Sequence, residues 1–261
     1  VKVQNKVVWI TGASAGIGEA LAHRMAREGA LLALSARRRS QLERVKAALP
    51  AGTRSCIVPG DVVDFASIPA WRRQIEQELG PVDVLVNNAG ISQRSLVRDT
   101  SLDIYRRLME VDYFAPVALT QAVLPGMLER SSGQIVVVSS VAGKFGTPLR
   151  SGYAAAKHAL HGFFDCLRCE VAKDGVSVTA IVAGAIHTNV SINAVTGDGS
   201  TYGVMDELQA TGIDVSEAAD AMVEGILADE PEVLVAEGGS LQLYQMSRQD
   251  PKSVYEALAL R

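Results

Sequence analysis

With 261 residues, 48% hydrophobic and 21% charged, the chain has the makeup of one globular domain, not of a disordered or low-complexity protein. A net charge of −4 gives no electrostatic footing for nucleic acid, so no nucleic-acid partner is expected. No apolar run approaches the ~18–20 residues of a membrane span, and no membrane partner is expected either.

The chain opens Val-Lys-Val-Gln-Asn-Lys and passes at once into a β-rich run over 7–11. That leaves no room before it for a signal peptide, and a cytoplasmic protein is expected. The run ends in Gly12-Ala13-Ser14-Ala15-Gly16-Ile17-Gly18, followed by helical apolar spacing over 17–29. Strand, glycine turn and helix start form the setting of a dinucleotide-phosphate site, where small residues admit the pyrophosphate and the helix N-terminus offers free N–H groups. A second strand is predicted over 31–35 and runs into Ser35-Ala36-Arg37-Arg38-Arg39, before a helix over 40–48. A third strand at 55–59 precedes Asp61-Val62 and a helix at 66–79; a fourth at 82–86 precedes Asn87-Asn88-Ala89-Gly90 and a long helix over 102–129.

The fifth strand, 134–139, carries Ser140 at its carboxyl end, where open α/β sheets bind ligands. The helix predicted over 152–173 carries Tyr153 and Lys157, an i,i+4 pair on one helical face. A cation beside a phenol favours the phenolate, which makes Tyr153 a candidate general acid and base. A sixth strand at 176–182 leads to Ala183-Gly184-Ala185-Ile186-His187-Thr188. The stretch from 189 to 215 has no clear periodicity and reads as a lid over a substrate; a helix at 216–229, a strand at 232–236 and a tail of short helix and coil at 240–261 complete the chain. Apolar strands alternating with amphipathic helices predict a single α/β domain, a parallel sheet with helices on both faces.

Three cysteines make no disulfide framework. Cys166 and Cys169, spaced C-x-x-C in mid-helix beside His158 and His161, read as packing or interface residues, and no metal site is predicted.

Thr11 to Gly18, Asp61-Val62, Asn87 to Gly90, Ser140 with Tyr153 and Lys157, and Ala183 to Thr188 follow one another in an order and spacing that resemble the short-chain dehydrogenase/reductase family over residues 6 to 235. The resemblance implies a Rossmann-type doubly wound sheet of seven parallel strands ordered 3-2-1-4-5-6-7. It implies a nicotinamide cofactor held by Gly12, Ser14, Ala15, Gly16, Ile17 and Gly18, by Asp61 and Val62 at the adenine, by Asn88, Ala89 and Gly90, by Tyr153 and Lys157, and by Gly184, Ile186 and Thr188. It makes Ser140, Tyr153 and Lys157 the catalytic set, and a homodimer or homotetramer packed through the helices at 102–129 and 152–173 the expected assembly. An NAD site places a carboxylate at the end of the second strand, where this chain has Ala36 followed by Arg37. NADP(H) is therefore expected, with Arg37 the main contact to the 2′-phosphate and Ser35 and Arg38 assisting.

The family places Asn in an Asn-x-x-Gly pattern on the long central helix; here the segment is Asp112-Tyr-Phe-Ala115, and Asp112 joins the catalytic candidates. Ala183 for the usual Pro and Ala156 for a common Ser are smaller departures. Ser92, Gln93, Phe145, Leu149, Val190 and Tyr202 are candidates to line the pocket of a small-molecule carbonyl or alcohol substrate, and their mix of apolar and polar side chains suggests a medium-sized, partly hydrophobic carbonyl. The stretch from Ser139 to Gly146 and the pair Phe163-Phe164 are similar to hydroxysteroid-type and related carbonyl reductases. An acyl-carrier-protein ketoreductase and a catalytically degenerate NADP(H)-binding sensor stand as alternatives.

Overall fold

A computed structural model describes residues 2–259. Seven short, β-branched runs become parallel strands because both of their faces are covered by helices, so nearly every side chain along the central strands is buried. The strands are β1 (Val7–Thr11), β2 (Leu31–Ala36), β3 (Ser55–Pro59), β4 (Val82–Asn87), β5 (Gly133–Ser140), β6 (Val176–Ala183) and β7 (Glu232–Val235). They form one sheet in the order β3-β2-β1-β4-β5-β6-β7. β1 pairs in parallel with β2 (Val8 opposite Leu32) and with β4 (Val8 opposite Val84). The strand order reverses between β1 and β4, which opens a crevice at their carboxyl ends.

The helices are α1 (Gly16–Arg27), α2 (Arg39–Ala48), α3 (Ile68–Glu78), α4 (Leu102–Met109), α5 (Ala115–Glu129), α6 (Ser151–Val171), α7 (Glu207–Ala210), α8 (Val215–Ala228), α9 (Gly238–Gln249) and α10 (Pro251–Leu258). Leu21 and Met25 of α1, Leu42 of α2, and Met222 and Ile226 of α8 cover one face of the sheet. Ile75 of α3, Leu119 and Val123 of α5, and Leu160 and Phe164 of α6 cover the other.

The predicted helix over 102–129 is interrupted. Residues Glu110–Phe114 form a π-helical turn between α4 and α5. Pro116 stands at the start of α5 and has no N–H to donate to the carbonyl four residues back, that of Asp112, so the ladder widens there. The stretch 189–215 has structure of its own: Val195 pairs with Gln93 and Thr201, Ile186 pairs with Ile213, and α7 lies within it. The C-terminal region is more helical than expected. α9 and α10 pack Val254 against Val141, Phe145 and Val182; Val1, Leu260 and Arg261, at the limits of the expected domain and tail, lie outside the described residues.

Candidate functional site

The glycine turn is held at the crevice by backbone. The N–H groups of Asn88 and Ala89 both donate to Thr11 Oγ1, each at 3.1 Å, and Asn88 Nδ2 donates to the Thr11 carbonyl at 2.9 Å. A Cβ on Gly18 would lie 2.3 Å from the Gly12 carbonyl oxygen, and Gly12 itself has φ +67° with Ala89 2.9 Å from where its Cβ would be. Only glycine lets the β1 and β4 ends meet this closely. No side chain caps α1, so the N–H groups of its first turn are left for a ligand. Across the crevice, the Thr188 methyl comes within 3.4 Å of a Cβ placed on Gly16, which sets the segment after β6 against the turn. These residues fit a dinucleotide.

Arg37 and Arg38 are exposed and have no carboxylate partner among the described residues, and the first turn of α2 contains no acid. Ser35 lies near the end of β2, just before them. Its side chain is buried and accepts from Trp9 Nε1 at 2.7 Å, while its carbonyl accepts from the Ala13 N–H at 3.1 Å. Period-2 alternation along β2 turns Ser35 towards the Trp9 layer, and its backbone supports the turn. Asp61 is exposed after β3, with Val62 buried beside it. A residue the sequence reading missed, Arg44 of α2, donates to both oxygens of Glu19 (2.7 Å each) and to the Ser14 carbonyl at 3.1 Å, tying the turn to α2.

At the other end of the crevice Ser140 and Tyr153 share one cleft with Ser92, Arg94, Arg150 and Val190. Ser140 Oγ accepts from the Ala142 N–H at 3.1 Å, which occupies a lone pair and leaves its hydrogen free to donate. Lys157 Nζ lies 5.6 Å from the Tyr153 ring centroid and donates to the Val138 carbonyl at 3.0 Å. Asp112, fully buried in the π-helical turn, accepts from the Ile91 N–H at 2.9 Å through Oδ1, and the same oxygen is 3.9 Å from Lys157 Nζ. Its Oδ2 has no hydrogen-bond partner among the described residues. Burial pushes the Asp112 carboxyl up to about 6, against the opposing pull of Lys157 and of the Ile91 N–H. Gly90 makes room for it: a Cβ there would be 2.6 Å from Asp112 Oδ1.

Three of the expected pocket residues do other work. Gln93 is fully buried, and its Oε1 accepts from the Gly152 N–H at 2.7 Å and more weakly from the Tyr153 N–H at 3.4 Å, so it caps α6. Phe145 is core, packed with Val141 and Val182, and Leu149 is an exposed turn residue at φ +65°. Tyr202 lies with its ring 6.0 Å from the Arg94 guanidinium. Arg94 is buried after β4; its Nε donates at 2.7 Å to Asp206 Oδ2 on the 189–215 segment, and Nη2 closes the ion pair. Arg150 Nη2 reaches the same oxygen at 3.1 Å. No spacing marked this group, because its three members come from loops far apart in sequence. Cys166 and Cys169 are exposed on α6.

A family model described as short chain dehydrogenase matches residues 6–199. Among curated proteins, dehydrogenase/reductase SDR family member 7B of Bos taurus is 45% identical over 90% of this chain and 74% of its own length. Dehydrogenase/reductase SDR family protein 7-like of Drosophila melanogaster is 40% identical over 100% of this chain and 81% of its own. Among solved structures, a short-chain dehydrogenase from Streptomyces avermitilis superposes with a TM-score of 0.83 at 30% identity, covering 97% of this chain and 96% of that one. Levodione reductase gives 0.78 at 26%, covering 91% and 98%. No helix among the described residues is long and apolar enough to cross a membrane. The chain belongs to the short-chain dehydrogenase/reductase family of nicotinamide-dependent oxidoreductases.

Proposed function

We propose that the protein interconverts a small ketone or aldehyde and its alcohol with NADP(H). The observation that carries this reading is the convergence of Ser140, Tyr153 and Lys157 at the carboxyl end of β5, beside a glycine turn on the same sheet edge. When bound, NADPH would supply the hydride that the carbonyl carbon accepts. Gly12, Ser14, Ala15, Gly16, Ile17 and Gly18 would hold the pyrophosphate, Asp61 and Val62 the adenine, and Asn88, Ala89, Gly90, Gly184, Ile186, Thr188 and Lys157 the nicotinamide half. Arg37, with Arg38, would take the 2′-phosphate.

In reduction, the Ser140 hydroxyl donates a hydrogen bond to the substrate oxygen and polarises it. The Tyr153 hydroxyl passes its proton to that oxygen as charge develops there, and the Lys157 ammonium favours the phenolate left behind. In oxidation the same groups run in reverse, with the phenolate as base. Asp112 acts on Lys157, not on substrate. NADPH oxidation against a panel of ketones, aldehydes and diketones tests the reading. Tyr153→Phe is expected to lower kcat by at least about a thousandfold while NADPH still binds, measured by fluorescence titration; substantial remaining turnover refutes the assignment. One observation, the carboxylate of Asp112 at 3.9 Å from Lys157, favours the second reading of a degenerate NADP(H) sensor. Tight NADPH binding with no turnover across the panel would select it.

A further inference from the structure

We infer that the cleft selects carbonyl substrates that carry an anionic group, a carboxylate or a phosphate, close to the reacting carbon, with Arg150 as its receptor and Arg94 as the buried anchor behind it. The inference rests on the oxidoreductase reading for the reacting carbonyl. It rests on charge and donor accounting for the anion.

Arg94 and Arg150 line the same cleft as Ser140 and Tyr153. One carboxylate, Asp206, answers both, and every contact converges on a single oxygen, Oδ2. The group thus carries one positive charge in excess. Arg94 has little left to offer: Nε and Nη2 go to Asp206, and Nη1 donates to Ser92 Oγ at 2.9 Å and to the Gln93 carbonyl at 2.6 Å. Arg150 differs. It gives only Nη2 to Asp206, so its Nε and Nη1 donors have no protein partner among the described residues. It stands immediately before α6, three residues from Tyr153.

A part-buried guanidinium that shares its one carboxylate with a second arginine, and keeps two donors open to the cleft, is suited to take a further anion. Burial first, and then the charge of Arg94, hold the Arg150 guanidinium below its ordinary value. A bound carboxylate or phosphate would relieve that deficit through a planar two-point contact of the kind guanidinium forms with oxyanions. The neighbouring chamber, of about 320 Å³, shares Ala185 and Leu208 with the cleft but is lined by Asp214, Glu217 and Glu237. Its acids repel an anion and leave the arginine end as the place for it.

The test uses matched pairs reduced with NADPH: an aryl keto acid and its methyl ester, and a keto phosphonate and its dimethyl ester. The wild type is expected to favour the charged member of at least one pair by about 10- to 100-fold in kcat/KM, and which pair shows the preference distinguishes carboxylate from phosphate. In Arg150→Gln the charged-to-neutral ratio should fall at least about tenfold, and in Arg150→Lys, which keeps the charge without the fork, it should fall between the two. A wild-type ratio near one in both pairs, or a ratio unchanged in Arg150→Gln, overturns the inference. Should Arg150→Gln fail to fold, the Arg150→Lys ratio decides: a ratio equal to the wild type's overturns it. If no carbonyl in any pair is reduced, the oxidoreductase reading fails separately. Calorimetric titration with the keto acid and the keto phosphonate then decides, since binding lost in Arg150→Gln upholds the anion site and equal or absent binding rejects it.

Discussion

Asp112 stands where the family resemblance places an Asn, and its surroundings make the difference measurable. Its carboxyl is fully buried, bonded through one oxygen to the Ile91 N–H, and pushed up to about 6 from the usual 3.8. The folded protein therefore keeps this proton between pH 4 and 6, where the unfolded chain has released it. Stability from this group is fully present below about pH 4 and is lost as the pH rises through about 6. Relative to Asp112→Asn, the wild type should lose up to about 3 kcal/mol over that window and no more above it, which urea unfolding at a series of pH values measures. Activity carries a second signature. Above pH 6 the ionised carboxylate opposes a second negative charge on Tyr153, so the limb of the pH–rate profile set by Tyr153 should move to lower pH in Asp112→Asn. Superimposable profiles would remove Asp112 from the chemistry. The substitution itself was legible in the sequence, because the family pattern made it stand out. The orphaned Oδ2 was not, since it depends on a π-helical turn that no periodicity announces.

Among the elements, α6 has the most to position, and it is capped from outside. Its first turn receives Gln93 Oε1 on the Gly152 N–H, while Gln93 Nε2 donates to Ser95 Oγ at 3.0 Å and Thr100 Oγ1 at 3.1 Å. A Gln93→Leu substitution leaves a buried N–H unpaired and removes the amide donor from Ser95 and Thr100, which keep their mutual bond at 2.7 Å. It should cost about 1–3 kcal/mol in denaturant unfolding and lower kcat more than it raises KM, because the phenol shifts relative to Ser140. Gln93→Glu keeps the acceptor and should recover part of both. The strands were readable to within a residue or so, as expected where apolar runs are bounded by glycine, proline and polar residues: β1 and β3 match their predicted spans, and β5 and β6 each extend at most one residue further at either end. The start of the helix predicted at 66–79 and the continuity of that at 102–129, whose two ends match, were less so, because a 3₁₀ turn at Phe65–Ser67 and the bond missing at Pro116 preserve helical spacing while changing the backbone. Gln93 escaped for another reason: its partner lies about sixty residues away in sequence and only the fold brings them together.

At the scale of the molecule, the sheet divides its labour about the β1/β4 crevice. The β1–β2–β3 half presents the glycine turn and three successive arginines, and the β4–β5–β6 half presents the phenol, the ammonium and the cleft. Arg39 is engaged with Glu43 at 3.8 Å, whereas Arg37 and Arg38 have no carboxylate partner among the described residues, at the positive end of α2. Arg37→Ala should raise the KM for NADPH by about 10- to 100-fold and leave that for NADH nearly unchanged, in steady-state assays with either cofactor. Equal or better efficiency with NADH in the wild type would sink the NADP(H) assignment. Exposed Phe114 and Leu128 on the segment running into and along α5 suit the expected subunit contact, and light scattering showing a monomer would count against it.

Trp9, sealed in the central strand and bonded to Ser35, sits one residue pair below the turn that Ser35's carbonyl supports. Trp71 of α3 presses its ring against Gly60, at the end of β3 where the adenine is expected. The chain has no other tryptophan. Both tryptophans therefore flank the half of the sheet assigned to the dinucleotide, so energy transfer to a bound reduced nicotinamide should quench indole emission and give a label-free optical gauge of occupancy in every variant that leaves these two rings in place.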